Sequence, residues 1–191
     1  MAGVRILLGR AGPATLLAAA LCASAAAGDS LADTAADHEV KAAFLLNFTR
    51  FVEWPATAFG SAQAPFVIGV VGGGEVERTL AAVTRDRMVN GRPFEVRRVD
   101  ARSAKLCQVV FIPDSEMDRA GGVMAAVAQA PVLLVGESEG FTERGGVVNF
   151  VVRDRRVRFE IDPAIAAGNG LKISARLLQL AILTGNGAGK K

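Results

Sequence analysis

The segment Val40 to Pro55, VKAAFLLNFTRFVEWP, constrains the fold more than any other stretch, because it holds the only Trp and three of the ten Phe residues. Val40, Phe44, Phe48 and Phe51/Val52 recur at helical steps, and Leu45 widens the stripe. Lys41, Asn47 and Arg50 supply a polar side, and Pro55 pushes Trp54 out of the helical region. A stripe this bulky has to be covered by a sheet or another helix, which predicts a core-packing helix. Its end, around Phe51, Trp54 and Phe59, is the part expected to stay accessible to a partner.

The chain has 191 residues, 51% of them hydrophobic, enough for one globular domain with a proper core. Residues 1–27 read as a secretory signal peptide: Arg5 and Arg10, an apolar run from Ala14 to Leu21, then the small residues Ala23 to Ala27. The run is too short to span a membrane. Leu21 before Cys22 argues against a lipid anchor. Removal of the leader lowers the formal charge from +3 to about +1, which leaves no electrostatic case for nucleic acid. It also leaves Cys107 as the single cysteine, read as a buried, inert thiol without an internal disulfide.

Residues 28–36 read as a flexible mature N-terminus, with Thr34 and Asp37 resembling a capping box and a first helix starting near Ala35. The domain is expected over residues 37–184. Phe66–Val71, Val109–Ile112 and Val132–Val135 are continuous apolar runs, as strands buried on both faces should be. Helices are expected between them, over Glu75–Arg85 (Val76, Leu80 and Val83 inward) and Glu116–Gln129 (interrupted by Gly121-Gly122), with Asn90-Gly91 turning into a partly exposed strand at Phe94–Val99. Residues 147–152 and 157–162 form a half-wet hairpin, in which Val157, Phe159 and Ile161 alternate with charges. Asp162-Pro163 starts a helix, and Ile173, Leu177, Leu180 and Ala181 form a last helical stripe before a tail at 185–191. The prediction is a single layered α/β domain: a central, mostly parallel sheet of about six strands with a C-terminal hairpin, flanked by helices.

Catalytic patterns are missing. Gly72, Gly73 and Gly74 follow a strand and precede a helix, but the third glycine of a dinucleotide fingerprint is replaced by Glu77, so a tight turn is expected. Its N–H groups leave it a candidate for a small anion, with Phe141 lining the same site. One His (His38) and one mature Cys cannot build a zinc centre or a nucleophile–base pair, and no cofactor or metal is expected. Glu137/Glu139 and Glu160/Asp162 read as solvated charges. Arg153, Arg155 and Arg156 read as a solvated hairpin tip, or as a contact for acidic groups. Lys172 and Arg176, four apart, are a further partner-binding candidate.

Three separated blocks, VKAAFLLNFTRFVEWP, GFTERGGVVNFVVRDRRVRFEID (Gly140 to Asp162) and LKISARLLQLA (Leu171 to Ala181), resemble the YfiR family of periplasmic regulators. The resemblance covers about Val40 to Leu183. It implies a non-enzymatic α/β domain that often dimerises. It also implies binding to the periplasmic sensor domain of an inner-membrane diguanylate cyclase, held inactive so that cyclic di-GMP and biofilm formation stay low. Family members carry disulfides that tie repression to redox state; Cys107 falls near one such cysteine but has no mature partner here. The contact residues expected on this reading are Phe51, Trp54, Lys172 and Arg176. The competing expectation is a small-ligand or cell-wall-fragment module using Gly72, Gly73, Gly74 and Phe141.

Overall fold

Three runs of β-branched and aromatic residues, with no polar residue to present to water, set the middle of the sheet. In the computed structural model, which describes residues 26–185 with side chains from Asp37 onward, these runs are β2 (Phe66–Val71), β5 (Val109–Ile112) and β6 (Leu133–Gly136), every residue of them buried. The elements before and between them are α1 (Ala26–Phe51), the short β1 (Val52–Glu53), α2 (Glu75–Thr84), β3 (Met88–Val89), β4 (Arg92–Val99) and α3 (Met117–Val127). After β6 come the hairpin β7 (Val148–Arg153) and β8 (Arg156–Ile161), α4 (Pro163–Gly168), β9 (Lys172–Ile173), α5 (Ala175–Leu180) and β10 (Ile182–Leu183). Of the leader read over residues 1–27 only the last two positions, and of the tail only Gly185, fall among the described residues.

The sheet has eight strands in the order β10-β8-β7-β6-β5-β2-β4-β3. Strands β4, β2, β5, β6 and β7 are parallel; β7/β8 and β3/β4 are antiparallel, and β10 returns parallel to β8. The two strands beyond the expected six are β3 and β10, each two residues long and therefore without a readable period. A separate antiparallel ladder joins β1 to β9. Tertiary contacts gather the described residues from Ala36 onward into one compact unit.

Helix α1 covers the hairpin through an aromatic cluster. Phe44 and Phe48 lie 5.2 and 5.3 Å from the Phe159 ring and 6.0 Å each from Phe150, which meets Phe111 of β5 at 6.1 Å. Each ring buried this way contributes roughly 1.5–3 kcal/mol of transfer free energy, plus a smaller term for edge-to-face geometry. The buried stripe is Ala42, Leu45, Phe48, Thr49 and Val52, so it is turned away from Val40, which is 39% exposed. Thr49 is tolerated inside because its hydroxyl donates to the Leu46 carbonyl at 2.7 Å. The helix backbone runs through Thr34 back to Ala26, so Thr34 is not an N-cap and His38 is not in a first turn.

Three further helices differ from expectation. Helix α3 runs through Gly121-Gly122 without the expected interruption. In α2 Thr84, not Val83, joins Val76 and Leu80 inside, its hydroxyl bonded to the Leu80 carbonyl. The C-terminal stripe is not one helix. Ile173 is drawn into the ladder with Val52, and the Ser174 N–H bonds the Phe51 carbonyl at 2.9 Å. Ser174 then caps a helix of only six residues, in which Leu177 is buried and Leu180 is 61% exposed. Pairing with a distant segment has overridden the local 3.6-residue period.

Candidate functional site

The β1–β9 ladder is what makes a site from two distant parts of the chain. Its register, Val52↔Ile173 and Glu53↔Lys172, sets the C-terminal end of α1 beside the start of α5. Three of the four sequence-predicted contact residues thereby meet. Phe51 is half-buried, and the Arg176 guanidinium carbon lies 5.8 Å from its ring centroid, at the limit of a cation–π contact. Lys172 and Arg176 are exposed and, among the described residues, neither is in an ion pair. Leu180 stands one helical turn beyond Arg176, and exposed Ile182 and Leu183 follow it. The corner therefore presents two exposed cations, Lys172 opposite Glu53 in register and Arg176 beside Phe51, and an aliphatic strip.

Trp54 belongs to the same corner but faces inward. Its Nε1–H donates to the Gln108 carbonyl at 3.0 Å, and its ring meets Phe66 edge-on at 4.9 Å. Gln108, itself buried, accepts the Val67 N–H at 2.7 Å and donates to the Ala58 carbonyl. Trp54 thus ties the 55–65 loop to the sheet, and only part of its ring is left for a partner. Phe59 is likewise half-buried, under the Arg92 guanidinium at 3.9 Å.

Phe141 cannot line a ligand site. It has no exposed surface, and its ring fills the space where a Cβ on either Gly136 or Gly146 would stand. It is a core plug, held by two glycines. The turn at Gly72, Gly73 and Gly74 is present, all three with φ between 71° and 108°, a region only glycine adopts freely. Its surroundings are ion pairs: Glu75 with Arg78, Glu77 with Arg98 and Glu116 with Arg119. The Glu116 carboxyl packs on Gly72, Glu77 and Arg98 lie against Gly73, and Glu75 opens α2. An incoming anion would have to displace these carboxylates from their Arg partners to lie against the turn.

A second arrangement was not read from the sequence. At the carboxyl ends of β5, β6 and β7 lies an open cleft of about 630 Å³. Lys41 Nζ is 2.8 Å from Glu137 Oε2, a distance for an ion pair although that oxygen receives no hydrogen bond of good geometry. Glu137 Oε1 accepts the Asp114 N–H at 3.0 Å, and the Ser138 hydroxyl bonds the Asp114 carboxylate. Asn149, 1% exposed, donates to Glu160 at 3.2 Å and leaves Oδ1 without a partner. Glu137 is therefore a structural ion-pair partner, not a free solvated charge. Asp162 is also not solvated: it is buried and accepts the Ala164 and Ile165 N–H groups as the cap of α4. The cleft was foreseeable to the extent that Asp114 and Glu137–Ser138 directly follow two parallel strands, where side chains converge. Lys41, on the polar side of α1, carried no such signal.

Cys107 is buried beneath Gly69 and Val99, and burial pushes its thiol up, with the nearby Arg97 pulling the other way. Among the described residues no group of three or more His, Cys, Asp or Glu side chains is placed to hold a metal ion, and no helix is long and apolar enough to cross a membrane.

The model of the family described as YfiR/HmsC-like matches residues 38–182, most of the chain. No curated protein matches the sequence. Nine chains of solved structures are similar, among them the following two. One is an "ABC domain in complex with L-Trp" from Streptococcus pneumonia, with 11% identity, a TM-score of 0.44, and 61% of this chain and 54% of that one covered. The other is a "conserved domain protein" from Vibrio cholerae, with 16% identity, a TM-score of 0.46 and coverage of 63% and 55%. The match thus spans about half the length of either structure.

Proposed function

The chain belongs to the YfiR/HmsC-like family, and from that premise we propose that it is a non-enzymatic periplasmic signalling regulator. It binds the periplasmic sensor domain of an inner-membrane protein, a diguanylate cyclase, and represses it. The observation that carries this reading is the β1–β9 corner, where Phe51, Lys172, Arg176 and Leu180 form an exposed cationic and aliphatic surface on paired backbone. Such a surface suits a protein partner better than a small ligand, since exposed cationic and aliphatic side chains lie side by side on it. Repression works by selective binding of the inactive sensor conformation. Moving that sensor from 1:99 to 99:1 needs roughly a 10⁴-fold preference for one state, which a protein-sized contact can supply. Homodimerisation would double the corner and add avidity.

The test is cyclic di-GMP in cells with and without the gene, combined with capture of the tagged protein from the periplasm. Deletion should raise cyclic di-GMP, and a membrane-bound cyclase should be captured by the native protein but not by a Lys172→Glu/Arg176→Glu variant. An unchanged cyclic di-GMP level and no cyclase in the capture would overturn the proposal. The orphaned Asn149 Oδ1 in the polar cleft favours a second reading, a module for a small hydrogen-bond donor such as a cell-wall fragment. A rise in Tm with amino-sugar fragments, abolished by Glu137→Gln, would support it.

A further inference from the structure

The β7–β8 hairpin breaks a rule of sheet stability. Arg153 and Arg156 are directly opposite in register, where like charges repel, and Arg158 lies two residues further along the same face. Arg155 occupies the two-residue turn beside Asp154. Among the described residues none of these four guanidinium groups has an ion-pair partner, and all four are exposed. Arg153, Asp154, Arg156, Arg158 and Ile182 border a groove of about 330 Å³, three cations against one carboxylate. Ile182, which pairs with Glu160 and so shares the face of Arg156 and Arg158, is 37% exposed, and Val152, 65% exposed, stands on the other face beside the turn. A fold that keeps four like charges together, next to bare aliphatic groups, has left them for an external polyanion.

The geometry points to the hairpin tip as a contact for an anionic phospholipid surface. Three of the guanidinium groups border one open groove and Arg155 stands in the turn, so no enclosed pocket gathers all four. A bilayer interface tolerates that spread, since its phosphates are laterally mobile, whereas a single acidic side chain of a folded partner would satisfy only one or two of them. Arg pairs phosphate oxygens in bidentate fashion, and Ile182 beside the same groove offers aliphatic surface to the headgroup region. The contact is peripheral, with no segment crossing the membrane. It rests on the periplasmic reading only for where such lipid would be met, and it would hold the regulator near a membrane-anchored sensor.

The test is sedimentation of the secreted form, purified from cells, with vesicles of phosphatidylcholine alone or with about 30% phosphatidylglycerol. Binding is expected only to the anionic vesicles, at millimolar lipid, and should fall on the order of tenfold between about 0.05 and 0.5 M salt. Each Arg replaced by Gln should weaken it about fivefold, so Arg153→Gln/Arg156→Gln/Arg158→Gln should lose on the order of 100-fold. That variant removes a repulsive pair, so its Tm should not fall; Arg156→Gln alone is the check if it does. Lys172→Gln/Arg176→Gln, which tests the partner corner, should bind vesicles like the native protein. Equal binding to neutral vesicles, no binding at all, or loss through Lys172/Arg176 and not the hairpin would overturn the proposal. So would soluble polyglutamate that binds the hairpin as tightly as the vesicles do, which would assign the patch to an acidic protein.

Discussion

Helices α1 and α5 carry apolar stripes that look alike in the sequence, yet one is consumed by the core and the other is not. In α1, Leu45 and Phe48 have no exposed surface and the ring cluster with Phe150 and Phe159 is complete. In α5, Leu177 is buried but Leu180 points out, because the helix starts at Ser174 and ends six residues later. The difference is set by what precedes each helix. α1 enters as a long helix free to rotate its best face onto the sheet. α5 is phased by the β1–β9 ladder and the Ser174 cap, and that phase leaves Leu180 without a partner in the chain.

The comparison breaks most visibly at Phe48. Phe48→Ala should cost about 3–5 kcal/mol, because the ring is fully enclosed and the cavity is bounded by other rings that cannot close it. A fall in Tm of about 10 °C or more, read by circular dichroism, is expected; a shift of a degree or two would mean that α1 is not the lid of the core. Smaller is Asp162→Ala, at about 1–2 kcal/mol, since it removes two N–H partners at the start of α4. Urea unfolding measures it, and an unchanged midpoint would show that solvent replaces the cap.

The parallel core was legible because β2, β5 and β6 are wet on neither face and so read as unbroken apolar runs, and the hairpin was legible because it is wet on one. The Asp162-Pro163 start was legible because cap chemistry is local. What stayed hidden depends on pairing at a distance. Two-residue strands have no period, so β1, β9 and β10 gave no signal, and with them went the phase of α5. Phe141 looked available because its loop is rich in Gly and charge. The glycines at 136 and 146 instead make room for its ring. Lys41 and Glu137 lie almost a hundred positions apart in sequence and meet only because α1 lies across the end of β6.

The smallest expected effect on stability is the sharpest test of the contrast. Leu180→Ser removes an exposed side chain, so ΔG of unfolding should change by no more than about 0.5 kcal/mol. If Leu180 is covered when a partner docks, the same change should weaken capture of that partner about tenfold or more, the transfer free energy of a leucine leaving water. Phe48→Ala should behave in the opposite way when assayed below its Tm, with stability lost and capture per folded molecule kept. Measuring both quantities on both variants separates the core stripe from the docking stripe. A Leu180→Ser protein that is destabilised by 2 kcal/mol or so would show that α5 packs as α1 does, and the β1–β9 corner would lose its aliphatic half.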